Sequence, residues 1–169
     1  TLNISGENSI VKAQTSYGGT VNFYSSTWGI VMGNWAGSDS TIKITDGGKL
    51  FSYGGLYSEY DAANSNMRAT VIVDGKSENG VSSTMQIKGF AHFGRFQTEN
   101  SKTSVTVSRG GYLQIESGTL LGMEGGYNDV SVSVDSESKL ETKGLTLYNK
   151  GVIVDNAGKI VATDVVVNG

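Results

Sequence analysis

Residues 132–149 read VSVDSESKLETKGLTLYN, and residues 152–169 read VIVDNAGKIVATDVVVNG. Moving the first stretch forward by twenty positions lays like on like. Val132 falls on Val152, Val134 on Val154, Asp135 on Asp155, Lys139 on Lys159, Leu140 on Ile160, Leu145 on Val165 and Leu147 on Val167. A period that keeps apolar, charged and turn positions together predicts stacked units, each burying its face against the next.

The unit recurs upstream in stretched form. Its most regular element is apolar-x-apolar, followed six residues later by another apolar residue. Leu2, Ile4 and Ile10 fit, as do Ile42, Ile44 and Leu50, Val105, Val107 and Leu113, Val132, Val134 and Leu140, and Val152, Val154 and Ile160. Val71 and Val73 open a further copy, in which the insertion DGKSENGVSS delays the next apolar position to about Met85. A Gly and a short apolar strand come next, as in Gly29-Ile30, Gly55-Leu56, Gly89-Phe90, Gly118-Thr119-Leu120 and Gly144-Leu145, with Asp164 in the last copy. Residues 5–28 hold either one long insertion or a degenerate extra copy around Gly18-Gly19-Thr20-Val21-Asn22-Phe23.

The alternation has period two, in short runs rich in Val, Ile and Thr, and no long stretch has a helical period. The expected fold is therefore all-β: a parallel β-helix of three short strands per coil and about six to seven coils. Residues 1–169 form one domain on this reading. Ile44, Val107, Val134, Val154, Leu50, Leu113, Leu140 and Ile160 are expected to face inward, and Lys43, Thr106, Ser133, Lys49, Lys139 and Lys159 outward. Ser5, Thr45, Asp74, Ser108, Asp135 and Asp155 follow the first strands as turn-capping residues. The two ends fall within strand patterns, which predicts a segment of a longer solenoid or end-to-end association.

Bulk chemistry narrows the function classes. A net charge of −3, from 13 basic and 16 acidic residues, argues against a nucleic-acid partner. The absence of Cys excludes disulfides, thiolate metal sites and thiol catalysis. No apolar run approaches the ~20 residues of a membrane helix, so no membrane insertion is expected of this segment. The single His, His92, cannot build a metal site without thiols, and no GxSxG elbow presents any of the serines, Ser83 and Ser108 among them. Asp46, Asp74, Asp135 and Asp155 form either a carboxylate row or a set of turn caps offset by lysine. Glu59 and Asp61 share a loop, with Arg68 and Arg95 on neighbouring coils, as a polysaccharide-cleaving cleft would need. No catalytic residue, cofactor or metal is assigned.

Nine of the 15 aromatic residues lie between positions 17 and 60. Trp28, Trp35, Tyr57 and Tyr60 sit at or beyond the third strand, and Phe93 and Phe96 occupy a comparable place one coil on. Rings with polar edges suit sugar faces and apolar partner pockets, or they cover the third sheet against the loops or fill the wider end of the core. Trp35, Tyr57, Tyr60, Arg95 and Phe96 are the candidate binding residues, on loops 34–40, 57–68 and 94–102.

The stretches VTVSRGGYLQIESGTLLG (105–122) and TIKITDGGKLFSYGGLY (41–57) resemble the strand repeats of autotransporter passenger domains and related bacterial surface adhesins. The resemblance covers nearly the whole chain and rests on repeat pattern and Gly placement. It implies a right-handed parallel β-helix at the surface of a Gram-negative-type cell, contacting host or environmental glycans or surface proteins without catalysis. The family's membrane β-barrel and protease motifs have no counterpart in this sequence. A polysaccharide lyase or glycosidase fragment and a structural spacer or self-assembling fibre segment are the two alternatives.

Overall fold

The computed structural model describes residues 1–13, 21–23, 29–33, 36–58, 66–94, 100–122, 129–148 and 151–168. Among them the chain is all strand, turn and bend, with no helix. One sheet runs in the order β1 (Leu2–Ser5), β5 (Asp39–Thr45), β8 (Arg68–Asp74), β11 (Lys102–Ser108), β14 (Val130–Val134) and β16 (Val152–Asn156), all parallel. Each of these strands is followed in the chain by one of a second parallel row. That row comprises β2 (Ile10–Ala13), β6 (Lys49–Ser52), β9 (Thr84–Ile87), β12 (Tyr112–Ile115), the first half of β15 (Lys139–Tyr148) and the first half of β17 (Lys159–Asn168). A third row holds β4 (Ile30–Met32), β7 (Leu56–Ser58), β10 (Phe90–Phe93), β13 (Gly118–Leu121) and the second halves of β15 and β17. The sheets do not close into a barrel. The architecture is solenoid-like.

The expected period-two faces are present. Ile42, Val71, Val105 and Val132 make one inward column, and Ile44, Val73, Val107 and Val134 the next, all buried. Leu50, Met85, Leu113 and Leu140 line the second row from inside. Burying each such side chain contributes roughly 1.5–3 kcal/mol, the main stabilising term. The insertion after Asp74 leaves Met85 in column because it folds out as a hairpin, with an antiparallel bridge from Lys76 to Ser82.

Between the second and third rows the chain turns outward in most units but not in the last two. Ile115 and Thr119 stand four positions apart, whereas their partners Thr142 and Leu145 stand three apart. With one residue fewer, the chain runs through without a bend, which is why β15 is a single strand serving both rows.

The structure corrects several sequence expectations. Ile10 is not inward: it is 52 % exposed, and Val11 takes the column position opposite Leu50. The turn Gly6–Ser9 is one residue longer than its successor, so the next aliphatic along faces in. In the first sheet Val154 pairs with Val132, not Val134, and Asp155 pairs with Ser133. Asp155 is therefore an exposed strand residue and not a turn cap. The following turn is two residues shorter, with the amides of Ala157 and Gly158 both donating to the Val134 carbonyl. In the third row Phe90 lies opposite Gly118, and Ala91 is the buried member of the Leu56–Thr119 column. Gly89 thus stands two residues before the column position at Ala91, whereas Gly55 and Gly118 stand one before Leu56 and Thr119. The segment 5–28 is not an extra copy in its described part. β3 (Val21–Phe23) pairs antiparallel with β4, so the chain returns along the edge of the third row. Of the two roles open to Phe93, the structure gives the interior one: it is 1 % exposed and belongs to the core.

Candidate functional site

The second row offers the best-formed outward surface among the described residues. In β6, β9 and β12 buried and half-buried residues alternate, so one set of side chains fills the core and the other stands on the outer face. Register then sorts the outer set into columns. Phe51, Gln86, Gln114 and Glu141 form the middle column. Lys49, Thr84, Tyr112, Lys139 and Lys159 form the column at the strand starts. Tyr53, Lys88, Glu116 and Lys143 follow the last core residue of each strand and make the opposite rim.

The result is a shallow trough across the strands. A recess of 570 Å³ is lined by Phe51, Tyr53, Gln86, Lys88 and Glu116, with Ile10 at one end. A second recess of 290 Å³ adjoins it at Glu116 and continues along Gln114, Glu141 and Lys143. Tyr53 is 52 % exposed, and the Lys88 ammonium lies 5.1 Å from its ring centroid, a cation–π contact. The Gln86 amide donates to Glu116 Oε1 at 2.6 Å. Tyr112 donates its phenol to Glu141 Oε2 at 2.8 Å, and Lys139 pairs with the same carboxylate while sitting 5.2 Å from the Tyr112 ring centroid. Lys139 and then Tyr112 hold the Glu141 carboxyl below its ordinary range. Burial, with Glu141 beside it, pushes the Tyr112 phenol up to about 12. Tyr112 stays protonated near neutrality and serves as a hydrogen-bond donor.

Of the two readings of the aspartates, turn caps hold for Asp46, Asp74 and Asp135. Asp74 accepts from Ser108 Oγ at 2.7 Å and from Arg109 Nε at 2.8 Å, and Arg109 Nη2 closes on its second oxygen. Arg109 and then Ser108 lower the Asp74 carboxyl, outweighing the opposing effect of burial. Burial also pushes Asp135 up, but its bonds from Ser138 and from the backbone amides of Arg109 and Glu137 outweigh it, and the net shift is downward. Asp46 accepts from Ser5 at 2.7 Å. Ser83 is a buried brace and not a nucleophile: it accepts from the Gly47 amide at 3.1 Å and donates to the Asp74 carbonyl at 2.8 Å. Among the described residues no group of three or more His, Cys, Asp or Glu side chains could hold a metal ion.

Of the candidate binding residues, Trp35, Tyr60, Arg95 and Phe96 lie outside the described residues, as do Trp28, Glu59 and Asp61. Tyr57 stands on the outer face of β7, half-buried, between Val31 and His92 in register. Its ring lies close over Gly55, where an added Cβ would come within 2.7 Å of it. Tyr57 therefore covers sheet backbone. The His92 Nε2 lies 2.8 Å from the Gly122 carbonyl oxygen. The structure does not bring Tyr57 into the trough. Sequence reasoning marked Lys49, Lys139 and Lys159 only as outward polar residues; their recurrence at strand starts was the available signal for a continuous face.

No family model, no curated protein and no solved structure matches this chain.

Proposed function

We propose that the chain is a non-enzymatic surface protein of the adhesin or passenger type, working outside a bacterial cell. In this reading it is a right-handed parallel β-helix with three short strands per coil and about six to seven coils; the six described parallel strands of the first sheet support it. Its role is geometric: a stiff rod holds exposed groups in fixed register for contact with glycans or surface proteins. Repeated weak contacts along such a rod add through multivalency. The observation that carries the reading is the core itself. Matching aliphatics stack from unit to unit, and the excursions leave that stack undisturbed.

The hydrolase alternative finds no general acid in Asp74, Asp135 or Glu141. A glycosidase uses one carboxyl held protonated as general acid, with its affinity for protons raised. Asp74, Asp135 and Glu141 are all shifted the other way, and each is tied up by donors. A glycan array on the wild type and on Trp35→Ala and Tyr60→Ala variants tests the adhesin reading. Glycan binding that weakens in either variant, with the melting temperature unchanged, supports it. Release of reducing ends from a polysaccharide sinks it in favour of the enzyme. An array with no bound glycan or surface protein leaves the spacer or fibre reading in its place.

A further inference from the structure

We propose that the outward face of the second row binds an anionic polysaccharide, a chain of sugar rings bearing carboxylate or sulfate groups, laid across the strands. The proposal rests on the glycan-contact part of the reading above and moves the contact from the loops to a sheet face.

Charge distribution is the first support. The chain has ten lysines and a net charge of −3. Five of those lysines, Lys49, Lys88, Lys139, Lys143 and Lys159, stand on or beside this one face, against Glu116 and Glu141. Acidic groups gather at the turn between the first and second rows, where Asp46, Asp74 and Asp135 lie. A protein that is acidic as a whole thus presents one basic face.

Spacing is the second support. Adjacent strands lie about 4.8 Å apart, so the columns offer equivalent side chains at that interval. Lys139 and Lys159 are direct register partners, and Lys88 and Lys143 flank Glu116 on the opposite rim. A linear polymer crossing the strands meets cations on both sides of the trough, while the middle column of Gln86, Gln114 and Glu141 lies beneath it.

The floor and rim chemistry favours sugar over other polyanions. Phe51 and Tyr53 give the larger recess ring surface suited to the C–H face of a pyranose. Gln86 bonds one oxygen of Glu116, and Tyr112 and Lys139 share one oxygen of Glu141, so the other oxygen of each would accept from sugar hydroxyls, and the Gln114 amide would both donate and accept. Those two carboxylates would repel the unbroken charge density of a nucleic-acid backbone. A polymer that alternates anions with hydroxyls satisfies both the lysines and the acceptors.

The test is calorimetric titration at low ionic strength with four probes: polygalacturonate oligomers, sulfated heparan-type oligomers, neutral cello-oligomers of equal length, and a short DNA duplex. Lys88→Gln/Lys143→Gln/Lys159→Gln is compared with the off-face control Lys43→Gln/Lys76→Gln/Lys102→Gln, which makes the same change in net charge. We expect one acidic oligomer to bind, its affinity to fall with added salt, the trough variant to bind about tenfold more weakly, and the control to stay within about twofold. Which acidic probe binds separates carboxylate from sulfate ligands. Equal weakening in both variants, neutral or DNA binding as tight as acidic-oligomer binding, or no binding of either acidic oligomer overturns the proposal. Trp35→Ala and Tyr60→Ala, run beside these, separate the two readings. Loss of glycan binding there with the trough variant unaffected leaves the loop reading standing and this one refuted. The reverse pattern favours the sheet face.

Discussion

Val154 lies opposite Val132 in the first sheet, while five residues on, Lys159 lies opposite Lys139. The same two units are thus offset by 22 positions in one sheet and by 20 in the next. A slip of two keeps every side chain on its own face, so Val152 and Val154 still pack, half-buried, against the core. The turn absorbs the difference. Cysteine pairs read this register directly. Val132→Cys with Val154→Cys places the two residues as direct partners on adjacent strands, within bridging range. Val134→Cys with Val154→Cys places them about 8 Å apart, beyond it. We expect the first pair to oxidise quantitatively in mild oxidant and the second to remain reduced, as read by thiol titration.

Gly111 and Gly144 should respond in opposite ways to the same added methyl. At Gly111 a Cβ would come within 2.1 Å of the Val73 carbonyl oxygen, which is backbone and cannot swing aside. Gly111→Ala should cost about 3 kcal/mol, the upper end for overpacking. At Gly144 a Cβ meets nothing within 4 Å. Gly144→Ala should be neutral or stabilise by about 0.4–1 kcal/mol through the unfolded chain. Urea unfolding of both variants measures the contrast. A stable Gly111→Ala would mean that the turn there stands further from Val73.

Asp74 gives stability a defined dependence on acid. Its carboxyl is lowered from an ordinary value of 3.8, and Glu141 is lowered from 4.5. The folded protein therefore holds these protons less tightly than the unfolded chain. The stabilisation is complete above the ordinary values and is lost as pH falls through the folded ones. Melting temperature should drop as pH falls below about 5. Asp74→Asn should destabilise the protein at neutral pH by roughly 1–2 kcal/mol, since the carboxylate is largely buried though Arg109 is exposed. The gap should close as the wild type is acidified; a gap that persisted unchanged at low pH would place the loss in packing and not in charge.

Ser58 anchors a buried amide. The buried Ser58 and Thr103 hydroxyls lie 2.8 Å apart, and Ser58 also accepts from the Gly94 amide at 2.7 Å. Ser58→Ala removes the acceptor from a buried backbone N–H and should cost about 1–3 kcal/mol. The denaturant midpoint of Ser58→Ala should fall accordingly, and a midpoint equal to the wild type's would mean that the Gly94 amide finds another acceptor.

The columns through Ile44, Val73 and Val107 were legible because a period-two pattern with a constant step to the next strand allows one facing only. The excursion after Asp74 was legible for the same reason, since Met85 resumes the pattern. Ile10 and Val11 were not, because two adjacent aliphatics fit either facing until the turn length is known. The slip at Val154 was hidden because displacements of 20 and 22 preserve the same alternation. Phe90 misled because a large ring looks like core. Here it lies over Gly118, where an added Cβ would come within 3.0 Å of it, and small Ala91 takes the interior. The trough escaped notice because each lysine, taken alone, reads as a solvated outward residue. Only strands laid side by side make Lys139, Lys159 and Lys143 into one surface.

The hairpin after Asp74 also reaches past its immediate neighbour. Ser77 Oγ and Asn79 Nδ2 both donate to Glu7, at 3.0 and 2.9 Å. The Glu7 and Ser77 side chains come together over Gly47, the turn of the unit between them. In an array held only by adjacent contacts, the outermost unit can fray without disturbing the third. This clasp ties the first to the third directly, so the intervening turn cannot lift until a bond that skips it has broken. Amide exchange near Gly47 and Gly48 should therefore speed up in Glu7→Ala, which frees a hairpin some thirty residues downstream.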